Sequence, residues 1–78
     1  MKIHRQDLLA LQAAIDRRFN ASDRAAIHDR YRARGLSDQR FRWDMLHASG
    51  FDIQPLYKAG LNDSHIDTAL RYVMPARA

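Results

Sequence analysis

Leu36-Ser-Asp-Gln-Arg-Phe-Arg-Trp-Asp-Met-Leu-His-Ala-Ser-Gly50 is the stretch of sequence that decides the fold. Ser37 is a suitable N-cap, because its hydroxyl can accept a hydrogen bond from a backbone N–H of the first helical turn. Gly50 can adopt the left-handed conformation that ends a helix. At about 100° per residue, the large apolar groups of Phe41 and Trp43 fall on nearly opposite sides of this helix. We therefore expect a central helix that packs against neighbours on two sides.

Apolar periodicity on either side of this stretch predicts further helices, and no segment alternates with a period of two. We therefore expect an all-α fold and no sheet. Residues 1–78 should form a single helical domain, a compact bundle of about five helices in which three are longer, one is short and the last is amphipathic. The predicted helices are His4–Phe19, a second that begins at Asn20 or Ser22 and runs to Arg34, Asp38–Ser49, Ile53–Ala59 and Asp63–Met74.

The length of the chain limits how much apolar surface the bundle can bury. A domain of 78 residues buries only about 60–65% of the surface that its unfolded chain exposes, so its stability should be small. A homodimer would bury more. The residues expected to share one core are Leu11, Ile15, Phe41, Trp43, Leu46, Ile66, Leu70 and Val73.

Several classes of protein are disfavoured by the composition. The chain has no cysteine, which excludes a disulfide framework and a thiolate metal site and fits a reducing cytoplasm. It has no apolar run long enough for a membrane span or a secretory signal. The four histidines are scattered singly, and no nucleophile motif or phosphate-binding glycine loop is present. We therefore expect neither an enzyme nor a metal or other cofactor.

Positive charge is concentrated in one third of the chain. The formal net charge is +4, and residues 17–42 hold eight arginines against three aspartates, a balance of +5. Residues 1–16 balance at zero and residues 43–78 at −1. Such an asymmetry is expected of a surface that binds anions. A solvated face in a protein rich in arginine and aspartate, with no glutamate, explains the same composition.

The basic third of the chain contains arginines interleaved with Tyr31 and Trp43. Arginine contacts phosphates bidentately, and arginine with aromatic side chains can stack on bases. The alternative is that both aromatics lie in the core and that the arginines pair with Asp23, Asp29 and Asp44. The candidate residues for binding nucleic acid or a protein partner are Arg24, Arg30, Arg32, Arg34, Arg40 and Arg42.

A second candidate surface lies in the segment from Asp52 to Leu70, which has the outline of a helix-turn-helix with Gly60 at the turn. A helix that reads the major groove needs positive or amide side chains, whereas residues 52–71 sum to −1. This surface is therefore the alternative to the arginine surface. Its residues for base readout are Ser64, His65, Thr68 and Arg71.

Two stretches resemble small uncharacterised proteins encoded by bacteriophages and prophages. They are Tyr31-Arg-Ala-Arg-Gly-Leu-Ser-Asp-Gln-Arg-Phe-Arg-Trp-Asp-Met-Leu, and Leu56-Tyr57 with Leu61-Asn-Asp-Ser-His-Ile-Asp-Thr-Ala-Leu-Arg71. The resemblance implies the cytoplasm of a bacterial host cell and a regulatory or host-directed role. It supplies no catalytic residue.

Two functions fit these observations. The leading hypothesis is a non-enzymatic phage-type protein that binds DNA or RNA through the arginine-rich helices. The alternative is an adaptor or inhibitor that binds a host or phage protein with an acidic surface. Both use the same arginines, so charge alone does not separate them, but the salt dependence of binding does.

Overall fold

Five helices and no strand make up the part of the chain that the structure, a computed structural model, describes, which is residues 3–74. The expected all-α bundle with three longer helices and one short helix is confirmed. None of the described helices has the length and apolar character needed to cross a membrane. In chain order they are α1 (Arg5–Arg18), α2 (Ala21–Ala33), α3 (Asp38–Ser49), α4 (Gln54–Lys58) and α5 (Asp63–Val73).

Helix α3 has the bounds and the central position that its sequence predicts. The Ser37 hydroxyl accepts a hydrogen bond from the Arg40 backbone N–H at 3.1 Å, and Gly50 ends the helix with a φ of +77°. Since that φ lies in the left-handed region, a side chain at Gly50 would be strained. Helix α3 contacts α1, α2 and α5, so it is packed on more than one side.

Side-chain caps also set the starts of α2 and α5. Asn20, and not Ser22, caps α2, because its side-chain oxygen accepts from the Asp23 backbone N–H at 2.7 Å. Asn62 caps α5 in a reciprocal capping box. Helix α4 begins at Gln54 and not at the predicted Ile53, which is its N-cap. Asp52 lies one residue before that cap, and its carboxylate accepts a hydrogen bond from the Gln54 backbone N–H at 3.1 Å. Helix α4 is therefore shorter than expected.

The main hydrophobic core lies between α1, α3 and α5 and is closed by the segment around α4. Trp43 and Val73 pack against it while partly buried. Phe41 is buried but lies outside this cluster, where its ring contacts His28 and Tyr31 of α2. Phe41 is thus buried as predicted, but it packs on the α2 side of α3 and not within the main cluster. The buried core residues are Leu11, Ile15, Leu46, Leu56, Leu61, Ile66, Ala69 and Leu70.

Candidate nucleic-acid interface

Helix α2 is the most exposed long helix, and it determines how the candidate arginines are arranged. None of its residues is buried, although Ile27 and Tyr31 are half-buried against the rest of the bundle. Ile27 and Tyr31 face the bundle, and the arginines of α2 lie on both sides of them rather than on one face of the helix. Arg30 and Arg34, four residues apart, lie on one flank, and Arg32 lies on the other.

The first flank and the part of α3 beside it are here called the Tyr31 face, which consists of Arg30, Tyr31 and Arg34 with Arg40 and Asp44 of α3. The Tyr31 hydroxyl donates a hydrogen bond to Asp44 Oδ2 at 2.6 Å, and Arg40 Nε donates to the same oxygen at 3.1 Å. Arg30 and Arg34 are exposed and form no ion pair with any residue of the described chain. This face therefore presents two guanidinium groups that no carboxylate neutralises locally.

The hydrogen bond between Tyr31 and Asp44 changes how both groups titrate. Donation to the carboxylate raises the pKa of Tyr31 above 10.0, since losing the proton would place two negative charges together. The same hydrogen bond, assisted by Arg40, lowers the pKa of Asp44 below 3.8. Both shifts mean that the neutral phenol beside the charged carboxylate is the favoured state.

The Tyr31–Asp44 bond should give stability a defined pH window. Its contribution is present above the unfolded pKa of Asp44 and is lost as pH falls through the lower folded value. It is present below the unfolded pKa of Tyr31 and is lost as pH rises through the raised folded value. We expect Tyr31→Phe to cost roughly 1 kcal/mol near neutral pH, a value reduced for solvent screening.

Chemical denaturation of the wild type and the variant between about pH 3 and pH 11 measures this window. The difference in the free energy of unfolding should shrink at both ends of the range. Tyr72→Phe is the matched control, because Tyr72 is 77% exposed and should leave the curve unchanged. A difference between wild type and Tyr31→Phe that stays constant across the range would contradict the assignment.

The second flank of α2 faces a cleft, and its arginines are held differently. Arg24 Nη1 donates to Asp16 Oδ1 at 2.5 Å and to the Phe19 carbonyl oxygen at 3.0 Å. Arg24 therefore joins the start of α2 to the end of α1 and is committed to structure. Arg32 is exposed and has no ion-pair partner among the described residues.

Next to Arg32, a histidine joins α2 to the first turn of α3. The imidazole Nε2 of His28 lies 2.7 Å from Asp38 Oδ1, and the ring stacks on Phe41 with centroids 4.5 Å apart. The hydrogen bond with His28 is the main reason that the pKa of Asp38 is lowered below 3.8. His28 thus acts in helix packing, and among the described residues it belongs to no group of side chains that could hold a metal ion.

Arg42 requires a correction to the predicted binding set. Its side chain is only 8% exposed, and its Nη2 lies 3.5 Å from Asp67 Oδ1 of α5. The same carboxylate oxygen accepts from Trp43 Nε1 at 3.2 Å, and its second oxygen lies 3.2 Å from Arg71 Nε. Arg42 cannot be presented to a large partner, because it is buried inside the bundle. Arg42 therefore does not belong to the arginine surface that was predicted to bind nucleic acid or a protein partner.

The two aromatic residues of the basic region are largely committed to the fold. Trp43 is partly buried against the core and donates to Asp67, and Tyr31 is half-buried and donates to Asp44. Neither ring stands free for stacking on bases. The expected pairing of arginines with Asp23, Asp29 and Asp44 occurs only as Arg40 with Asp44 among the described residues.

The helix-turn-helix candidates lie on α5, which packs mainly on α1 and α3. Ser64, Thr68 and Arg71 are exposed, but His65 Nδ1 accepts from the Asn62 backbone N–H at 3.1 Å in the capping box. The Thr68 hydroxyl donates to the Ser64 carbonyl oxygen at 3.0 Å. The hydrogen-bonding groups of this face are thus used mostly within α5.

Within residues 3–74, no three histidine or acidic side chains are grouped so that they could hold a metal ion. Sequence reasoning missed the role of Asp67, which serves as a buried acceptor for three side chains. A signal for it existed, since Asp67 lies beside Ile66 and Leu70 at the edge of the apolar stripe of α5. An acidic residue at such a position needs a buried donor.

Together the fold and this surface define a small all-helical protein with arginines on two flanks of one exposed helix. Comparison with known proteins finds no matching family model, no matching curated protein and no matching solved structure.

Proposed function

We propose that this chain is a non-enzymatic, phage-type protein that binds nucleic acid through the Tyr31 face. The observation that carries the proposal is the pair Arg30 and Arg34, exposed one helical turn apart with no ion-pair partner among the described residues. Arg40 of α3 belongs to the same face and forms an ion pair with Asp44. The resemblance to phage and prophage proteins supports a regulatory role in the cytoplasm of a bacterial host.

A guanidinium that lacks a local carboxylate can contact a phosphate without first giving up another partner. Arginine forms charge-assisted, bidentate bonds with phosphate oxygens, and its positive charge attracts a polyanion over long distances. Arg32 projects from the other flank of α2, so it adds to long-range attraction more than to contacts on the Tyr31 face. Such contacts are independent of sequence, because phosphates carry no base identity.

The decisive experiment compares two double variants: one lacks two charges of the Tyr31 face, and the other lacks two charges elsewhere on the surface. Arg30→Gln with Arg34→Gln should weaken binding to all sequences alike and reduce the slope of log K against log salt by roughly one to two units. The control is Arg5→Gln with Lys58→Gln, which makes the same change in net charge at exposed positions on α1 and α4. Fluorescence anisotropy with labelled duplex DNA and single-stranded RNA, between about 50 and 200 mM salt, measures both quantities.

Three outcomes would contradict the proposal. Equal losses in the two double variants would mean that only net charge matters. Loss of binding to one particular duplex on Ser64→Ala with Thr68→Ala would favour the α5 face, where each base contact is worth about 1–3 kcal/mol. Folded protein with no affinity for DNA or RNA at about 50 mM salt would favour the adaptor that binds an acidic protein surface.

A further inference from the structure

A cleft of about 380 Å³ lies between the second flank of α2, the first turns of α3 and the end of α5. Its size falls within the range of about 300–1,000 Å³ that is usual for small-molecule sites. Ala21 and Ala25 leave room along α2, and Phe41, Val73 and Met74 supply apolar surface. The cleft is therefore large enough for a small organic molecule and apolar over part of its lining.

Arg42 lines this cleft and has fewer partners than a buried guanidinium needs. Within residues 3–74, its buried Nε has no hydrogen-bond partner, and the one hydrogen bond of its guanidinium, to Asp67, spans 3.5 Å. The carboxylate of Asp67 is shared with Arg71, so one negative charge serves two arginines. Buried polar groups normally have partners, and a buried charge that is only partly compensated is costly. An acceptor on the cleft side of Arg42 would relieve that cost.

The other charges of the cleft are nearly balanced, which limits the charge of a ligand that could bind there. Arg24, Arg32 and Arg42 line it against Asp29 and Asp38, three arginines to two aspartates. Asp38 is held by its hydrogen bond with His28 and Arg24 by its ion pair with Asp16, whereas Arg32 and Asp29 have no ion-pair partner among the described residues. The charges of Arg32 and Asp29 offset each other, so the charge that stays partly uncompensated is that of Arg42, which shares Asp67 with Arg71. The cleft therefore suits a ligand with a single acidic group rather than a polyanion.

We propose that this cleft binds a small organic anion whose acidic group faces Arg42 and Arg32 and whose apolar group packs against Phe41. A carboxylate, phosphate or sulfonate would compensate the positive charge of Arg42, which shares Asp67 with Arg71, and an aromatic or branched aliphatic group would cover the apolar lining. The site lies on the flank of α2 opposite to the Tyr31 face. It goes beyond the proposed function and does not depend on nucleic-acid binding.

Phenyl phosphate is a suitable probe, because it combines one acidic group with one ring. Titration followed by two-dimensional amide NMR should give saturable shifts at residues that line the cleft, such as Ala21, Ala25 and Phe41. Inorganic phosphate and phenol, titrated separately, should each bind at least about tenfold more weakly, because each satisfies only one part of the site.

Paired variants test the location without unfolding the protein. Ala25→Phe places a ring in the cleft and should abolish saturable binding, whereas Ala26→Phe, an exposed neighbour that does not line the cleft, should not. Arg32→Gln should weaken binding about three- to fivefold, the effect of one exposed charge contact, and Arg30→Gln, on the opposite flank, should leave it within twofold.

Two results would overturn the inference. One is the absence of saturable shifts in the wild type up to about 10 mM phenyl phosphate, which corresponds to affinity too weak for a specific site. The other is saturable binding that Ala25→Phe leaves intact. Either result would mean that Arg42 is held by the fold alone and that the cleft is ordinary surface.

Discussion

Leu70→Ala is expected to unfold the protein or to lower its melting temperature by more than about 8 °C. Leu70 has no exposed surface and lies at the centre of the cluster formed by α1, α3 and α5. Truncating such a side chain removes buried apolar contacts and leaves a cavity, at a cost of about 2–5 kcal/mol. In a domain of this size each kcal/mol lowers the melting temperature by about 4–8 °C. Thermal denaturation followed by circular dichroism measures the change.

The matched control is Leu9→Ala, the same truncation at a leucine of α1 that is 54% exposed. It should change the melting temperature by no more than a few degrees, because the truncation removes few buried apolar contacts. If Leu70→Ala were as mild as Leu9→Ala, α5 could not be docked on α1 and α3 as the structure has it.

The order and bounds of the helices could be predicted because local chemistry determines them. Ser37 and Asn62 satisfy backbone N–H groups at the starts of α3 and α5, and Gly50 takes the left-handed conformation at the end of α3. These interactions join residues three positions apart or fewer, so the sequence displays them directly. Asp52 shows the limit of this reasoning, since its bond to Gln54 forms a turn one residue before the cap of α4.

The partners of the arginines could not be predicted in the same way. Arg42 meets Asp67 across 25 positions of sequence, and Arg24 meets Asp16 across a helix boundary. Spacing within one helix says which residues share a face but not which face another helix covers. The six candidate arginines form one set in the sequence, whereas in the structure four lie on the two flanks of α2 and at its end, Arg40 lies on α3 and Arg42 is buried.

This division changes what each arginine can do. Arg30 and Arg34 are exposed without an ion-pair partner among the described residues and can contact a large polyanion. Arg24 is bound to α1. Arg42 is buried and depends on the carboxylate of Asp67 for its only described hydrogen bond. The most severe consequence of removing a charge should therefore arise at Asp67 and not at the surface.

Asp67→Ala is expected to lower the free energy of unfolding by about 3 kcal/mol. Three donors lose their acceptor at once: Arg42 at 3.5 Å, Trp43 at 3.2 Å and Arg71 at 3.2 Å. The loss is most costly at Arg42, because its side chain is 8% exposed and water cannot replace the carboxylate. Urea denaturation at neutral pH, with the slope checked for two-state behaviour, measures the effect.

Arg71→Ala is the control for this network, because Arg71 is the exposed one of the three residues that the Asp67 carboxylate binds. The Arg71 side chain is 66% exposed, so its ion pair with Asp67 is worth no more than about 1 kcal/mol. Asp67→Asn should fall between the two variants, since the amide oxygen can still accept from Trp43 while the charge opposite Arg42 is gone.

Replacing the buried pair together, as Arg42→Met with Asp67→Leu, should recover much of the loss, because no buried charge is then left without a partner. A double variant no more stable than Asp67→Ala would show that the carboxylate acts mainly as the acceptor for Trp43, and that the charge of Arg42 is compensated elsewhere.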